Sequence, residues 1–144
     1  MTWPLEYQRA SHDFEQFIVA ARDAAGLATT NMAWTMVQGV LLAFRRRLTI
    51  SQAIEFANVL PPLLRALFLE DWRPNEEPVP FSSRDALTEE VRSLRSQHNF
   101  SPDNAIEAVA IALRGSVDGA ALKQVLAKLP HDAAKFWSVR SGSE

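Results

Sequence analysis

The chain has no cysteine, which excludes disulfide cross-links and thiolate metal sites. Its five glycines are scattered and never form the spaced sets that cradle a phosphate. The three histidines, His12, His98 and His131, have no acidic or histidine partner at the i+3 or i+4 spacing of a helical metal site. They are expected as exposed residues near helix ends, and no metal or cofactor is expected. No apolar run is long enough to span a membrane; the longest, Met32 to Phe44, is interrupted by Thr35 and Gln38. There is no excess of charge of either sign. Fifteen basic against seventeen acidic side chains give a net charge of −2, a field that draws neither nucleic acid nor an anionic membrane. Glu6 and Asp13 stand where a secretory signal would need an apolar segment. The expected setting is cytoplasmic.

What is present is ordinary globular material. The 144 residues are 47% apolar and 22% charged, enough for one domain over residues 1–144 with a core of its own. Alanine occurs 21 times and leucine 16 times, and β-branched residues never alternate in runs, so the expected class is all-α. Arginine outnumbers lysine twelve to three, which with the alanine content associates the chain with a GC-rich bacterial genome.

Start and stop signals divide the chain into about eight helices. Ser11 is placed to cap the first, which carries Phe14, Ile18, Ala21 and Ala25 on one face and stops at Gly26. Thr29-Thr30-Asn31 opens a second helix that is apolar almost all round and therefore belongs inside a bundle. Thr49 and Gln52 form a capping box for a third, and Leu60-Pro61-Pro62 turns the chain into a fourth. Ser82 or Ser83 starts a fifth helix, the Ser101-Pro102-Asp103 signature a sixth, Asp118 caps a seventh and Pro130 begins the last.

Adding 69 to a residue number superimposes Val37–Phe68 on the second half without a gap. Val40, Ala43, Arg45, Leu60 and Pro61 match Val109, Ala112, Arg114, Leu129 and Pro130 as identities, and cap Thr49 falls on cap Asp118. The first-helix faces align only with a further four-residue slip. Two four-helix units are expected, over 11–73 and 82–138 with a linker at 74–81, fused with pseudo-twofold symmetry into one bundle because neither half alone can cover its apolar central helix.

The run Phe44-Arg45-Arg46-Arg47-Leu48, the segment Leu60-Pro61-Pro62-Leu63-Leu64-Arg65, Trp72, and the later Val117-Asp118-Gly119-Ala120 with Leu129-Pro130 resemble an uncharacterised bacterial group, the domain-of-unknown-function family 2267. The resemblance spans nearly the whole chain. It implies a duplicated all-helical fold and brings no established activity, cofactor or catalytic residue. The second half has no counterpart of Trp72.

Catalytic candidates are lacking. The acidic pairs Glu70-Asp71, Glu76-Glu77 and Glu89-Glu90 are neighbours that point apart on a helix and are expected as solvated surface. Trp3, Tyr7, Trp72 and Phe81 lie outside the helices, either sealing the bundle ends or forming a contact patch. Arg45, Arg46 and Arg47 fan out over about 200° if the helix persists. Arg45 and its match Arg114 are expected at their own helix ends, where the dipole favours cations, with Arg46 and Arg47 solvated. The expected function is a non-catalytic binding or scaffolding module acting through protein contact or as a homodimer. Trp72, Phe81, Arg46, Arg47, Trp3 and Tyr7 are its candidate surface. A helix-turn-helix-like nucleic-acid regulator reading through residues 53–60 or 122–129, and a small-molecule-binding enzyme, are the competing classes.

Overall fold

A computed structural model describes residues 2–73, 75–94 and 101–140. Among them are nine helices and no strand: α1 Leu5–Gln8, α2 Ala10–Ala25, α3 Thr30–Arg45, α4 Ile50–Ala57, α5 Pro62–Leu69, α6 Arg84–Leu94, α7 Ala105–Arg114, α8 Gly119–Lys128 and α9 His131–Phe136. The extra element relative to the sequence expectation is α1. No helix among the described residues is long and apolar enough to cross a membrane.

Most boundaries follow local chemistry. Gly26 ends α2 in the left-handed conformation, at φ 73°, where a side chain would be strained. Thr29 Oγ1 accepts from the Met32 amide at 3.2 Å. Thr49 and Gln52 close the expected capping box, Pro61 and Pro62 open α5, and Ser83 Oγ accepts from the Ala86 amide. Two starts differ. The Asp13 amide bonds to the Arg9 carbonyl, so α2 is already under way at Ser11. The Ser101-Pro102-Asp103 signature is a turn before α7, because Arg92 of α6 takes the Ser101 carbonyl at 2.8 Å and the Asp103 carboxylate at 2.7 Å. Asn104 then precedes the helix without capping it, its amide donating to the Ala24 carbonyl at 3.3 Å.

The main packing is crossed. Helix α2 lies chiefly against α7, and α3 chiefly against α6. Their buried faces are Phe17, Ile18 and Ala21 on α2 and Leu87, Thr88 and Val91 on α6. These two sets have the same spacing and are related by 70 residues, one more than 69 rather than four more. The core centres on Phe44. Its ring meets Phe56 at 4.8 Å and Phe68 at 6.4 Å from the first half, and Phe136 at 5.0 Å and Trp137 at 5.2 Å from the second.

The 69-residue offset reappears in the helix ends and in the hydrogen bonds. Helices α3 and α7 end at Arg45 and Arg114, α4 and α8 start at Ile50 and Gly119, and α5 and α9 start at Pro62 and His131. Arg45 Nη1 donates to the Phe68 carbonyl at 2.9 Å, and Arg114 Nη2 to the Trp137 carbonyl at 2.7 Å. Arg47 Nη1 reaches the Ala43 carbonyl as Ser116 Oγ reaches that of Ala112.

Candidate functional site

One helix face and two helical junctions leave a cleft of about 550 Å³ between them. One wall is the exposed side of α2, with Asp13, Gln16 and Ala20. A second is the α4–α5 junction, Asn58 to Pro61 with Arg65. The third is the end of α7 and the turn into α8, from Ile111 through Gly115 and Ser116 to Asp118. Glu6 of α1 stands at the rim. Tight turns create this concavity: Pro61 stops α4 from continuing, and α7 ends at Arg114 before α8 starts at Gly119.

The charge of the cleft is acidic. Glu6, Asp13 and Asp118 line it with one lining cation, Arg65, and Asp13 is also paired at 3.8 Å with Arg9, four residues earlier. The Arg65 guanidinium is engaged, donating to the Leu60 carbonyl at 2.9 Å, the Ala57 carbonyl at 3.2 Å and the Tyr7 hydroxyl at 3.1 Å. Asp118 precedes α8 without a capping bond from its side chain. The single lining hydroxyl, Ser116, donates to the Ala112 carbonyl at 3.1 Å, and no lining histidine stands by to activate it. Among the described residues no group of three or more metal-ligating side chains converges.

A second groove, of about 660 Å³, runs past Arg84, Glu107, Lys135 and Arg140. Its charges are mixed and its polar groups partly engaged: Arg84 donates to the Lys135 carbonyl, the Arg140 amide to Glu107, and the Arg140 guanidinium stands 3.9 Å from the same carboxylate. No large apolar side chain lines it, so it offers little to anchor a ligand.

A family model described as "Uncharacterized conserved protein (DUF2267)" matches residues 14–136. The chain belongs to the DUF2267 family. No curated protein matches it. The matched span holds most of the residues lining the cleft in this DUF2267 chain and begins after α1 and Asp13.

The structure separates the candidate surface residues. Trp3 and Tyr7 are exposed, at 65% and 47%, with Leu5 between them at 62%. Trp72 is half-buried, its ring 5.6 Å beneath the Arg45 guanidinium. Phe81 is half-buried against Phe44 and Phe136. Both of these seal the bundle. Arg46 is exposed but paired, its Nη1 2.7 Å from Glu90.

Arg47 is not solvated. It is buried, with Nη2 2.8 Å from Glu90 Oε1 and Nη1 on Oε2. Arg46 caps the helix with right-handed backbone, its amide on the Leu42 carbonyl, while the Arg47 amide bonds to the nearer Phe44 carbonyl, and from this tightened last turn both side chains converge on one carboxylate. Glu90, expected as solvated surface, is correspondingly half-buried with its side chain 19% exposed. Arg45 holds carbonyls of α5, those of Phe68 and Glu70, rather than the end of its own helix. His12 and His131 are exposed as expected, and His98 lies outside the described residues. Helix α4 turns Ile50, Ile54 and Glu55 outward and carries no cation that could face nucleic acid. The cleft itself had no marker in the sequence, being defined by small residues on α2 and α7 that only the packing brings together.

Proposed function

We propose that this DUF2267 chain is a helical binding module built from two related four-helix units, and that it acts by contact with another protein in a cytoplasmic setting. One observation carries this. Helix α1 buries none of its residues, and Trp3, Leu5 and Tyr7 expose large apolar side chains within five positions of one another. Large apolar side chains left exposed this close together along the chain are the raw material of a contact site. The Tyr7–Arg65 bond and the placement of Glu6 join the patch to the cleft, giving an apolar rim beside an acidic hollow. The recurring hydrogen bonds and helix ends at an offset of 69 support the two-unit reading.

The test replaces Trp3, Leu5 and Tyr7 together by serine and places a photo-crosslinking residue at position 8. The variant should lose little of its melting midpoint, since these side chains are mostly exposed and stand outside the buried core, while the crosslinked protein adduct obtained in the source cell disappears. An adduct that survives the triple replacement overturns the reading. Light scattering across a concentration series distinguishes a foreign partner from a second copy.

A further inference from the structure

The cleft has a counterpart in the same molecule, and there the space is filled. Under the 69-residue correspondence Gly115 and Ser116 answer to Arg46 and Arg47. Under the 70-residue correspondence of α2 and α6, Ala20 answers to Glu90. The crossed packing places these positions alike, α3 lying on α6 as α7 lies on α2. At the α3–α6 contact Arg46 and Arg47 turn onto the Glu90 carboxylate, and the Arg47 side chain is 3% exposed. At the α7–α2 contact the same three positions are glycine, serine and alanine. Among the described residues no other side chain fills the space they leave, and all three line the open cleft. Ile111 stays 44% exposed along it, whereas its counterpart Leu42 is half-buried.

We propose that the cleft receives an arginine side chain from a partner protein, seated where Arg47 sits in the filled counterpart. This deepens the protein-contact reading and rests on it. The chemistry of the walls fits such a guest. Asp118, together with Asp13, which also stands 3.8 Å from Arg9, supplies counter-charge in the role that Glu90 has on the other side. Ile111, Val59 and Pro61 offer apolar surface for the aliphatic stem. The resident cation Arg65 is held by two carbonyls and Tyr7, so it does not neutralise the acids through an ion pair. A guanidinium suits the site better than an ammonium because its planar fork serves carboxylate and carbonyl acceptors at once.

The experiment titrates the capped peptide Ac-Leu-Arg-Arg-Leu-NH2 into nitrogen-15-labelled protein and follows the amide signals of Ala20, Gly115 and Ser116. Saturable shifts at these amides are expected, with none from the peptide carrying Gln for Arg. Asp13→Asn with Asp118→Asn should weaken binding about tenfold, the scale of one lost charge-assisted hydrogen bond. Ala20→Glu with Ser116→Arg rebuilds the filled arrangement in the cleft and should abolish binding while leaving the melting midpoint unchanged or raised. Absence of shifts up to about millimolar peptide, the weak limit of a useful contact, overturns the proposal, as do equal shifts from the Gln peptide. Shifts at the same amides on concentrating the protein alone make a second copy the occupant and overturn the assignment to a partner. The filled variant also separates the two readings. If it keeps the crosslinked adduct that the Trp3, Leu5 and Tyr7 replacement loses, the arginine site fails and the contact reading stands.

Discussion

Arg47 and Glu90, 43 positions apart, face each other with two guanidinium nitrogens on two carboxylate oxygens. This is the one ion pair among the described residues in which a side chain is almost wholly removed from water. It ties the end of α3 to α6, a helix of the other half. Removing Glu90 leaves the cation buried and unmatched, so Glu90→Ala should cost about 3 kcal/mol. Glu90→Gln keeps an acceptor and should cost about 1–2 kcal/mol. Urea denaturation of the two variants checks the order.

The same carboxylate gives a pH dependence. Burial alone pushes Glu90 upward, but the hydrogen bond and charge of Arg47, then of Arg46, outweigh it and hold the group below its ordinary value of 4.5. A carboxyl whose folded pKa is depressed stabilises the fold above its unfolded pKa and loses that contribution as the pH falls through the folded one. Melting midpoints should therefore be flat on this account above about pH 4.5 and fall below it. The fall should be shallower in Glu90→Gln. Parallel profiles for the two proteins would assign the acid sensitivity to other carboxylates.

Arg45 and Arg114 make the same bond in different surroundings. Arg45 is 6% exposed, donates to two carbonyls and lies over Trp72, while Arg114 is exposed and holds the Trp137 carbonyl alone. Arg45→Ala strands the buried Phe68 carbonyl and should cost about 2–3 kcal/mol, whereas Arg114→Ala lets water replace the donor and should cost about 1 kcal/mol or less. Equal losses in thermal denaturation would show that burial does not set the difference.

The two helix-end glycines should respond with opposite signs. Gly115 is right-handed at φ −83°, and a methyl there would meet only the Ala112 and Ile111 carbonyls at ordinary contact distances of 3.6 and 3.9 Å. Gly115→Ala should stabilise by about 0.4–1 kcal/mol through the unfolded chain. Gly26 is open on all sides but sits at φ 73°, so Gly26→Ala should destabilise by about 1–2 kcal/mol from backbone conformation alone. Midpoints moving in the same direction would contradict this account.

The features legible in the sequence are those closed within four residues. The Thr49–Gln52 box, the Gly26 stop, the Ser83 cap and the Pro62 start all rest on neighbours along the chain, and the structure has each of them. Ser11 and Asp118 are local signals that fail, the one lying inside a helix already begun and the other making no cap bond, and the larger exceptions are where a distant side chain intervenes. Arg92 turns the Ser101-Pro102-Asp103 start signal into a turn. Arg47 reads as solvated until Glu90 arrives from another helix. Trp72 and Phe81 read equally as patch or seal, and only their placement against Arg45 and Phe44 decides for the seal. The cleft is hardest of all, since Ala20, Gly115 and Ser116 mark it by what they lack, and small helical residues carry no signal of the space beside them.

Crossed packing has a consequence for cutting the chain between its halves. A break in the segment joining α5 to α6 would separate α2 from α7, α3 from α6, and Phe44 from Phe136 and Trp137. Each fragment of about 70 residues would then expose a central helix made to be covered by the other, at a size where a core is already marginal. Residues 1–73 and 75–144 expressed separately should each lack a cooperative melting transition. Mixed at equal concentration, they should recover the helical circular dichroism and single transition of the intact chain, because the α2–α7 and α3–α6 packing that each lacks is supplied by the partner fragment. A fragment that melts cooperatively alone would show an independent domain and remove the physical reason for the halves to be joined.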